Sequence, residues 1–421
     1  MSGIKRGLQL LPIFLGCILL SGCSDSNTDQ KMNATAEKTD ISVSWLGGDI
    51  RNEYMLDALS VFAHQHPEIC LSMNYTSEDA YSLLYDARNA ASMSCDVVQI
   101  SYAQLTGQDI SEQFYPLSDI KDYLNLHLLS SDSVSCGTID GTLYALSNSI
   151  DLPAFYYNEE LLQHLGVDAP ATWEDLFTLA KLCSGTDLYP LVLTREDFFL
   201  LLNAWMEQHT ESAIFDENGT LCCTQKQLAD LLTFYQTLIE KRIVLIQENP
   251  ASALCSSLAV GCFGSVSCAS LLEATSASSG ISLLSGPLLS TEAAPERSGW
   301  YGSPGTLYAI SSTAKQPREA AKLLRFLISS ETIIKKQGLN EGYPSTAGSY
   351  QLLSAKKQLQ GLALTASLPF IEDKDSFSLI PPKLVSSAIR DCFFDTASQM
   401  LEQNGNPSEF SAALYDALND S

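Results

Sequence analysis

Hydrophobic and polar positions follow two different periods along the first hundred residues of this chain. Residues 41–46 alternate apolar and polar, which is typical of a strand with one face in a core. From about residue 52 the apolar positions recur every three or four residues, as on one face of a helix. Residues 69–75 and 95–100 predict two further strands, with a helix starting at Ser77 between them. This alternation favours a parallel sheet with helical crossovers.

The segment 136–183 carries the clearest local signals. Asn158 is predicted to cap a short helix that ends at Gly166. Thr172 and Asp175, three residues apart, form a capping-box pattern at the start of the next helix. Further strands are predicted at 188–193, 258–263, 281–284 and 305–310, and further helices at 198–208, 227–241 and 317–327.

Several large aromatic residues are predicted to be structural. Trp45 shares the alternation of its strand and is assigned to the core. Tyr156 and Tyr157 are neighbours in a strand and therefore face opposite sides, so at most one of them can line a cleft. Trp173 opens the capped helix and is also assigned to the core.

The N-terminus has the pattern of a secretory leader. Two basic residues precede an apolar run that ends in Leu20-Ser21-Gly22-Cys23. Residues 1–22 are therefore predicted to be a signal peptide, and Cys23 resembles the lipid-acceptor cysteine of bacterial lipoproteins. The polar residues 23–40 are predicted to be a flexible tether. The rest of the chain is predicted to be anchored to the membrane rather than to span it, since no later run is apolar enough.

Charge and length narrow the choice of function and organisation. The formal net charge of −25 repels phosphate backbones, so no nucleic acid partner is expected. Dispersed surface acid mainly maintains solubility and does not by itself select a cationic ligand. A chain of 421 residues exceeds one compact core, which predicts two domains.

Cysteine is abundant but shows no metal-binding spacing. The even number beyond the leader permits disulfides in an exported protein, and their pairing cannot be deduced from sequence. Neither a Cys-x-x-Cys motif nor a suitable histidine cluster is present, so no metal is expected. Buried free thiols are the default interpretation. These cysteines are Cys70, Cys95, Cys136, Cys183, Cys222, Cys223, Cys255, Cys262, Cys268 and Cys392.

Short motifs along residues 41–420 resemble those of one protein family in their order and spacing. The motifs are Asp96-Val-Val, Phe114-Tyr-Pro-Leu117-Ser-Asp119, Gly141-Thr-Leu-Tyr144-Ala-Leu146, Asp151 to Leu162, Gly166 to Leu176, Tyr308-Ala-Ile-Ser, Glu319 to Leu327 and Gly342-Tyr343-Pro344. Together they resemble the extracellular solute-binding proteins, above all the maltose-binding-like carbohydrate-binding lipoproteins of ABC importers.

The resemblance implies an α/β fold of the two-lobed periplasmic-binding-protein type (type II). Each lobe would be a sheet flanked by helices, with the ligand cleft at the hinge. Lobe one would comprise 41–148 plus 291–340, and lobe two 149–290 plus 341–421. The chain would cross between lobes near 147–151, 287–292 and 341–343.

The same resemblance implies a set of ligand-binding residues. A sugar needs carboxylates or amides for its hydroxyl groups and aromatic rings for its C–H faces. Simpler interpretations stay open: Asp49 as a helix cap, Asp151 as a turn residue, and Glu196 as an acid at a helix start. The residues matched to sugar-binding relatives are Asp49, Asp151, Glu196 and Phe198, and those placed by position are Tyr102, Trp300 and Tyr301.

One departure from the family pattern concerns the end of the strand near residue 264. Sugar-binding relatives often carry a stacking tryptophan there, whereas this chain has Gly264-Ser265-Val266. Maltose-type specificity is therefore in doubt, unless Trp300 or Tyr301 supplies the stacking ring.

The function implied is that of a binding protein on the extracytoplasmic side of the cell membrane. It would be a monomer without catalytic activity, cofactor or metal, and would deliver a sugar or oligosaccharide to an ABC permease. One alternative keeps the scaffold and binds a polyamine, a peptide or a metal chelate. Another is a thiaminase-like cleft enzyme, although this chain has Asp151 about where such enzymes place their cysteine nucleophile.

Overall fold

The computed structural model describes residues 38–76, 95–105, 110–291, 297–372 and 377–420. The predicted signal peptide, Cys23, nearly all of the tether and the helix expected from Ser77 lie outside the described residues. No helix in these ranges is long and apolar enough to cross a membrane.

The described strands include each predicted one, with bounds that differ by a few residues, and several short strands that were not predicted. They are β1 (Thr39–Leu46), β2 (Ile69–Thr76), β3 (Val97–Ile100), β4 (Thr138–Ile139), β5 (Thr142–Leu143), β6 (Ala145–Ser147), β7 (Ser149–Asp151), β8 (Pro153–Asn158), β9 (Tyr189–Leu193), β10 (Val244–Ile246), β11 (Ala259–Ser265), β12 (Leu283–Gly286), β13 (Tyr301–Pro304), β14 (Leu307–Ile310), β15 (Tyr343–Pro344) and β16 (Ser378–Leu379).

The described helices include those predicted within these ranges, with ends close to the predicted positions, and further helices that were not predicted. They are α1 (Asp49–Gln65), α2 (Tyr102–Leu105), α3 (Ile110–Gln113), α4 (Ser131–Ser135), α5 (Glu159–Leu165), α6 (Trp173–Cys183), α7 (Arg195–Thr210), α8 (Gln225–Glu240), α9 (Pro250–Cys255), α10 (Ala269–Ser278), α11 (Pro317–Ser329), α12 (Glu331–Gln337), α13 (Ser349–Ala355), α14 (Gly361–Glu372), α15 (Ser387–Glu402) and α16 (Pro407–Asn419), with a short 3-10 turn at Val266–Cys268.

The first large sheet has the strand order β2-β1-β3-β14-β6. β1 is parallel to β2 and β3, as the alternation of strands and helices predicts, whereas β14 is antiparallel to both of its neighbours. Ile41, Val43 and Trp45 are at most 1% exposed and share a core with Leu59 and Phe62 of α1. We call this sheet, with α1, α11 and α12, lobe one.

The second large sheet has the order β10-β9-β11-β8-β12. β9, β10 and β11 are parallel, and β8 runs antiparallel between β11 and β12. Tyr156 and Tyr157 on β8 are both fully buried and belong to different core clusters, so they face opposite sides as predicted. We call this sheet, with α6 to α10, lobe two.

A third, small sheet joins the two lobes. Its order is β15-β7-β13-β16, and we call it the connecting sheet. β7 comes between β6 of lobe one and β8 of lobe two, while β13 leads from lobe two into β14 of lobe one. β7 lies where the first crossing is predicted. β13 follows the predicted second crossing by about ten residues, because Leu289 and Trp300 are still buried in the core of lobe two.

The third connection also differs from the predicted one. After β15 the chain stays on lobe one, where the backbone N–H of Ala347 donates to Leu128 (2.8 Å). Gln358 Nε2 donates to the carbonyl of Lys335 at the end of α12 (2.6 Å). Contact with lobe two begins only at α14, whose Leu362 N–H lies 3.4 Å from a carboxylate oxygen of Glu273.

Local sequence signals explain the helix ends around 158–183. Asn158 Oδ1 accepts from the N–H of Leu161 (3.1 Å), and Gly166 ends α5 with a φ of 71°. Thr172 and Asp175 form the predicted capping box at the start of α6. Trp173 is 1% exposed and lies in the core of lobe two, as predicted.

Candidate functional site

The carboxyl ends of the parallel strands of lobe two form a polar edge. β9 ends at Leu193 and β11 at Ser265, and the antiparallel β8 brings Asp151 to the same edge. Ligands of open α/β sheets bind outside this end of the strands. Thr194, Ser265 and Ser267 are partly exposed here, so polar groups at this edge are accessible.

Asp151 lies at this edge with its carboxylate already bonded to lobe two. Oδ1 accepts from the backbone N–H of Ser267 (3.0 Å), and Oδ2 accepts from the hydroxyl of Ser267 (2.6 Å). Burial of the carboxylate raises the pKa of Asp151, although the bonds from Ser267 oppose that shift. Its predicted role in ligand binding stays a prediction, and its closest partners in the structure belong to the protein itself.

A second carboxylate at the same edge, Asp197, was not predicted. Oδ2 of Asp197 accepts from the hydroxyl of Thr194 (2.7 Å), and the side chain is only partly exposed. Burial raises its pKa to about 6, with further contributions from the charges of Glu196 and Asp151. In the sequence it looks like an acid in the first turn of a helix, so nothing marked it as a site residue.

The two predicted residues that flank Asp197 point elsewhere. Glu196 is exposed and lies 3.7 Å from Arg390. Phe198 is 0% exposed and packs against Tyr235 and Phe394 in the core of lobe two. Because α7 turns about 100° per residue, only one of three consecutive residues faces the edge.

The aromatic pair at 300–301 is also held within lobe two. Trp300 is 4% exposed, donates its ring N–H to Leu289 (2.8 Å) and packs against Phe263. Tyr301 donates its hydroxyl to the carboxylate of Glu207, and burial raises its pKa. The structure therefore provides no open stacking face on Trp300 to replace the tryptophan missing near Val266.

Lobe one contributes two predicted residues. Asp49 is the first residue of α1, directly after the N-cap Gly48, so it does not occupy the cap position itself. Tyr102 opens α2 and packs against core residues of both lobes, which places it between them. Burial raises the pKa of Tyr102 to about 12, so its hydroxyl stays protonated and can donate a hydrogen bond at neutral pH.

A buried ionic network at the connecting sheet was missed by sequence reasoning. Glu341, 5% exposed, accepts from two nitrogens of the Arg51 guanidinium: its Oε1 lies 2.7 Å from Nε, and its Oε2 accepts from Nη2. Its carboxylate also accepts from Tyr54 (2.6 Å) and Thr306 (2.6 Å). The network joins α1 of lobe one to the second and third connections between the lobes.

This architecture has a counterpart among known proteins. A family model described as bacterial extracellular solute-binding protein matches residues 69–361. The chain belongs to the bacterial extracellular solute-binding proteins. Two sheets flanked by helices, joined by a connecting sheet, are therefore the two-lobed fold that the sequence resemblance implied.

Individual relatives are distant. The solute-binding protein is 18% identical to YcjN of Escherichia coli, named as an ABC transporter periplasmic-binding protein, over 253 residues, which are 56% of this chain and 55% of YcjN. The chain thus matches about half the length of that curated relative.

Solved structures match over nearly the whole chain. A periplasmic solute binding protein of Pectobacterium atrosepticum has a TM-score of 0.82 at 22% identity, covering 91% of this chain and 98% of that one. An oligogalacturonide binding protein of Yersinia enterocolitica, solved with saturated digalacturonic acid, has a TM-score of 0.77 at 22% identity, covering 90% and 100%. At these identities the likeness shows the fold.

Thiol chemistry at the polar edge of this solute-binding protein is suppressed. The ten cysteines from Cys70 to Cys392 are free thiols, and Cys268 lies at the edge with its Sγ 2.9 Å from the carbonyl of Ser265. Burial raises the pKa of Cys268 to about 12, so the thiolate that a nucleophile requires is scarce. Among the described residues no group of three or more His, Cys, Asp or Glu side chains could hold a metal ion.

A cavity of about 340 Å³ lies at the opposite end of lobe two. Phe177, Lys181, Leu188 and Arg242 are among its lining residues, which all belong to lobe two. It is therefore separate from the space between the lobes.

The raised pKa of Asp197 predicts a pH-dependent stability. The folded-state pKa of Asp197 is about 6, above the usual 3.8, so folding favours the neutral carboxyl group. This contribution to the free energy of unfolding is fully present below about pH 4 and is lost as the pH rises through 6. Asp197→Asn should remove this loss and raise the free energy of unfolding at pH 7 by about 1–3 kcal/mol. Chemical denaturation at pH 4, 5, 6 and 7 measures it, with Asp168→Asn, an exposed acid after α5, as the control. Equal pH profiles for Asp197→Asn and the wild type would contradict the assignment.

Proposed function

We propose that this protein captures a carbohydrate between lobe one and lobe two and delivers it to the permease of an ABC importer. The observation that carries the proposal is the connecting sheet, where strands from all three connections lie side by side. Such a short hinge allows two rigid lobes to close over a small ligand by rotation. Membership of the solute-binding family supports capture rather than catalysis.

We place the protein on the outer side of the cell membrane, held as a monomer by a lipid on Cys23. The proposal is supported by the Leu20-Ser21-Gly22-Cys23 pattern and by the extracellular family to which the chain belongs. The polar residues that follow Cys23 would then act as a tether between the lipid and lobe one.

The groups available at the polar edge suit hydroxyl-rich ligands. Asp197 retains free acceptor positions, and the hydroxyl oxygens of Ser265 and Ser267 keep acceptor capacity, while the proton of Ser267 is donated to Asp151. Asp49 and Tyr102 are proposed to contribute from lobe one, since Tyr102 lies between the lobes. Glu196 and Phe198 are unsuited, because one is paired with Arg390 and the other is enclosed in the core.

The charges near the hinge argue against an acidic sugar. Within the described ranges, Arg51 is paired with Glu341, Arg297 with Glu207, and Arg195 with Asp391 and Asp395. A uronate would therefore meet Asp151 and Asp197, whereas each of these three guanidiniums already has a carboxylate partner. The ligand is proposed to be a neutral sugar, unlike the digalacturonic acid bound by the relative from Yersinia enterocolitica.

A thermal-shift series tests the proposal. Maltose, other neutral oligosaccharides, digalacturonic acid, spermidine and a dipeptide are each added in excess to the purified protein. A ligand at about 100 times its Kd adds roughly 2.7 kcal/mol of stability, which is a rise in Tm of several degrees. We expect at least one neutral sugar to raise Tm and digalacturonic acid to leave it unchanged. No shift with any sugar would contradict the carbohydrate assignment.

A polyamine is the second candidate, because Asp151 and Asp197 bring two carboxylates to one edge. The negative charge of Asp151 contributes to the raised pKa of Asp197, as expected for two carboxylates at one edge. A polyamine would relieve this repulsion. If spermidine raises Tm and the sugars do not, this alternative replaces the first.

A further inference from the structure

Two carboxylates in the connections between the lobes are each hydrogen-bonded to a different lobe. Asp151, the last residue of β7, holds the backbone N–H and the hydroxyl of Ser267 in lobe two. Glu341, two residues before β15, holds Arg51 and Tyr54 on α1 of lobe one. Each carboxylate therefore attaches a connecting strand to one lobe only.

The hydrogen bonds on either side of Asp151 also attach the first connection to different lobes. Before Asp151, Asn148 Nδ2 donates to the side chain of Gln337 in lobe one (3.0 Å). After it, the carbonyl of Leu152 accepts from the N–H of Val266 in lobe two (2.9 Å). The attachment changes from lobe one to lobe two at residues 150–151.

The second connection changes sides within β13 and the turn after it. Tyr301 is bound to Glu207 in lobe two, whereas Thr306 is bound to Glu341 on the lobe-one side. Gly305 already donates its N–H to the carbonyl of Ser149 (2.9 Å). Residues 302–305 are therefore the segment between the two attachments.

The third connection passes from lobe one to lobe two well after β15. Thr346 donates its hydroxyl to Ile328 of α11 (3.1 Å), and Gln358 is still bonded to Lys335 of α12. Gly361, with a φ of 68°, starts α14 beside Glu273 of lobe two. The change falls at residues 359–361.

We propose that Asp151 and Glu341 are positioning residues that confine the bending between the lobes to residues 150–151, 302–305 and 359–361. Asp151 acts through Ser267, and Glu341 acts through Arg51 and Tyr54. The inference rests on the proposed closing of the lobes, but its test uses the unliganded protein. It can therefore fail while the carbohydrate assignment stands, and the reverse.

Hydrogen exchange with peptide resolution separates the two attachments. Asp151→Asn and Ser267→Ala are each expected to speed exchange at least tenfold in peptides covering 150–154 and 264–269, with peptides 49–56 and 341–346 unchanged. Tyr54→Phe and Glu341→Gln are expected to give the converse pattern. If Glu341→Gln fails to fold, Tyr54→Phe carries the lobe-one half of the test. The control is Ser256→Ala, an exposed serine of lobe two whose hydroxyl bonds only within its own turn.

Small-angle scattering supplies a measurement that a merely local loosening would not change. Loosening either attachment should enlarge the radius of gyration of the unliganded protein, because the lobes sample wider separations. Ser267→Thr keeps both donors and should restore the wild-type exchange and radius. The proposal is overturned if Asp151→Asn and Tyr54→Phe speed exchange in the same peptides. It also fails if Ser267→Ala leaves both exchange and radius at wild-type values.

Discussion

Glu341→Gln is expected to lower the free energy of unfolding by about 3–5 kcal/mol, because it leaves Arg51 charged, largely buried and without its counter-ion. The amide nitrogen of the new glutamine would also face a donor, either Tyr54 or Thr306, where the carboxylate accepted from both. Urea denaturation followed by circular dichroism measures the loss. Arg51→Met combined with Glu341→Gln should recover part of it, since no charge is then left unpaired.

The matched control is Glu331→Gln on α12. Glu331 is 73% exposed and pairs with Lys335 at 2.7 Å, one helical turn away. A surface pair of this kind contributes at most about 1 kcal/mol. Losses of equal size in the two variants would mean that burial of the Glu341 network adds nothing to stability.

Gly342→Ala is expected to cost roughly 2–4 kcal/mol through two effects that can be separated. Gly342 has a φ of 91°, which is unfavourable for alanine, and a Cβ built there would lie 2.6 Å from both Asp151 Cα and the carbonyl oxygen of Ile150. Those atoms belong to the backbone of β7, so the third connection would have to move away from the first. Thermal and urea unfolding give the total loss.

Gly348→Ala isolates the conformational part of that cost. Gly348 has a φ of 81°, but nothing lies within 4 Å of a Cβ built there. Its substitution should therefore cost only about 1–2 kcal/mol, the conformational penalty of the left-handed region. If Gly342→Ala costs no more than Gly348→Ala, the close approach of the two connections does not contribute.

The elements of this fold could be predicted because their signals are local. The alternation around Trp45 specifies a strand with one buried face, and the Thr172 and Asp175 pair specifies a helix start. That the two tyrosines of β8 face opposite sides followed from the period of two alone. These signals involve residues at most a few positions apart.

The candidate site was harder to predict than the fold, because a residue type at the right position does not reveal where the side chain points. Phe198 follows the end of β9 and Trp300 directly precedes β13, yet both aromatic rings are enclosed in the core of lobe two. Asp197 lies between two predicted residues and is the one that reaches the edge. The rotation of about 100° per residue along α7 decides which of the three side chains faces the edge. The sequence predicts the start of this helix only to within a few residues.

Glu341 shows what long-range contacts hide from sequence reasoning. In the chain it stands in Asn340-Glu341-Gly342, which looks like an ordinary polar turn. Its partners on α1 lie 290 and 287 positions away in the chain. Only the fold brings these residues together, so no local pattern could have marked the network.

The position of β14 has a consequence for how this protein is made. β14 lies between β3 and β6 in the sheet of lobe one, although nearly the whole of lobe two separates it from β6 in the chain. The sheet of lobe one therefore cannot close on a ribosome until residue 310 has emerged. Sheets that depend on such distant partners form slowly. A chain that cannot complete this sheet for most of its synthesis stays unfolded for longer, which is the state that the export proposed above would require.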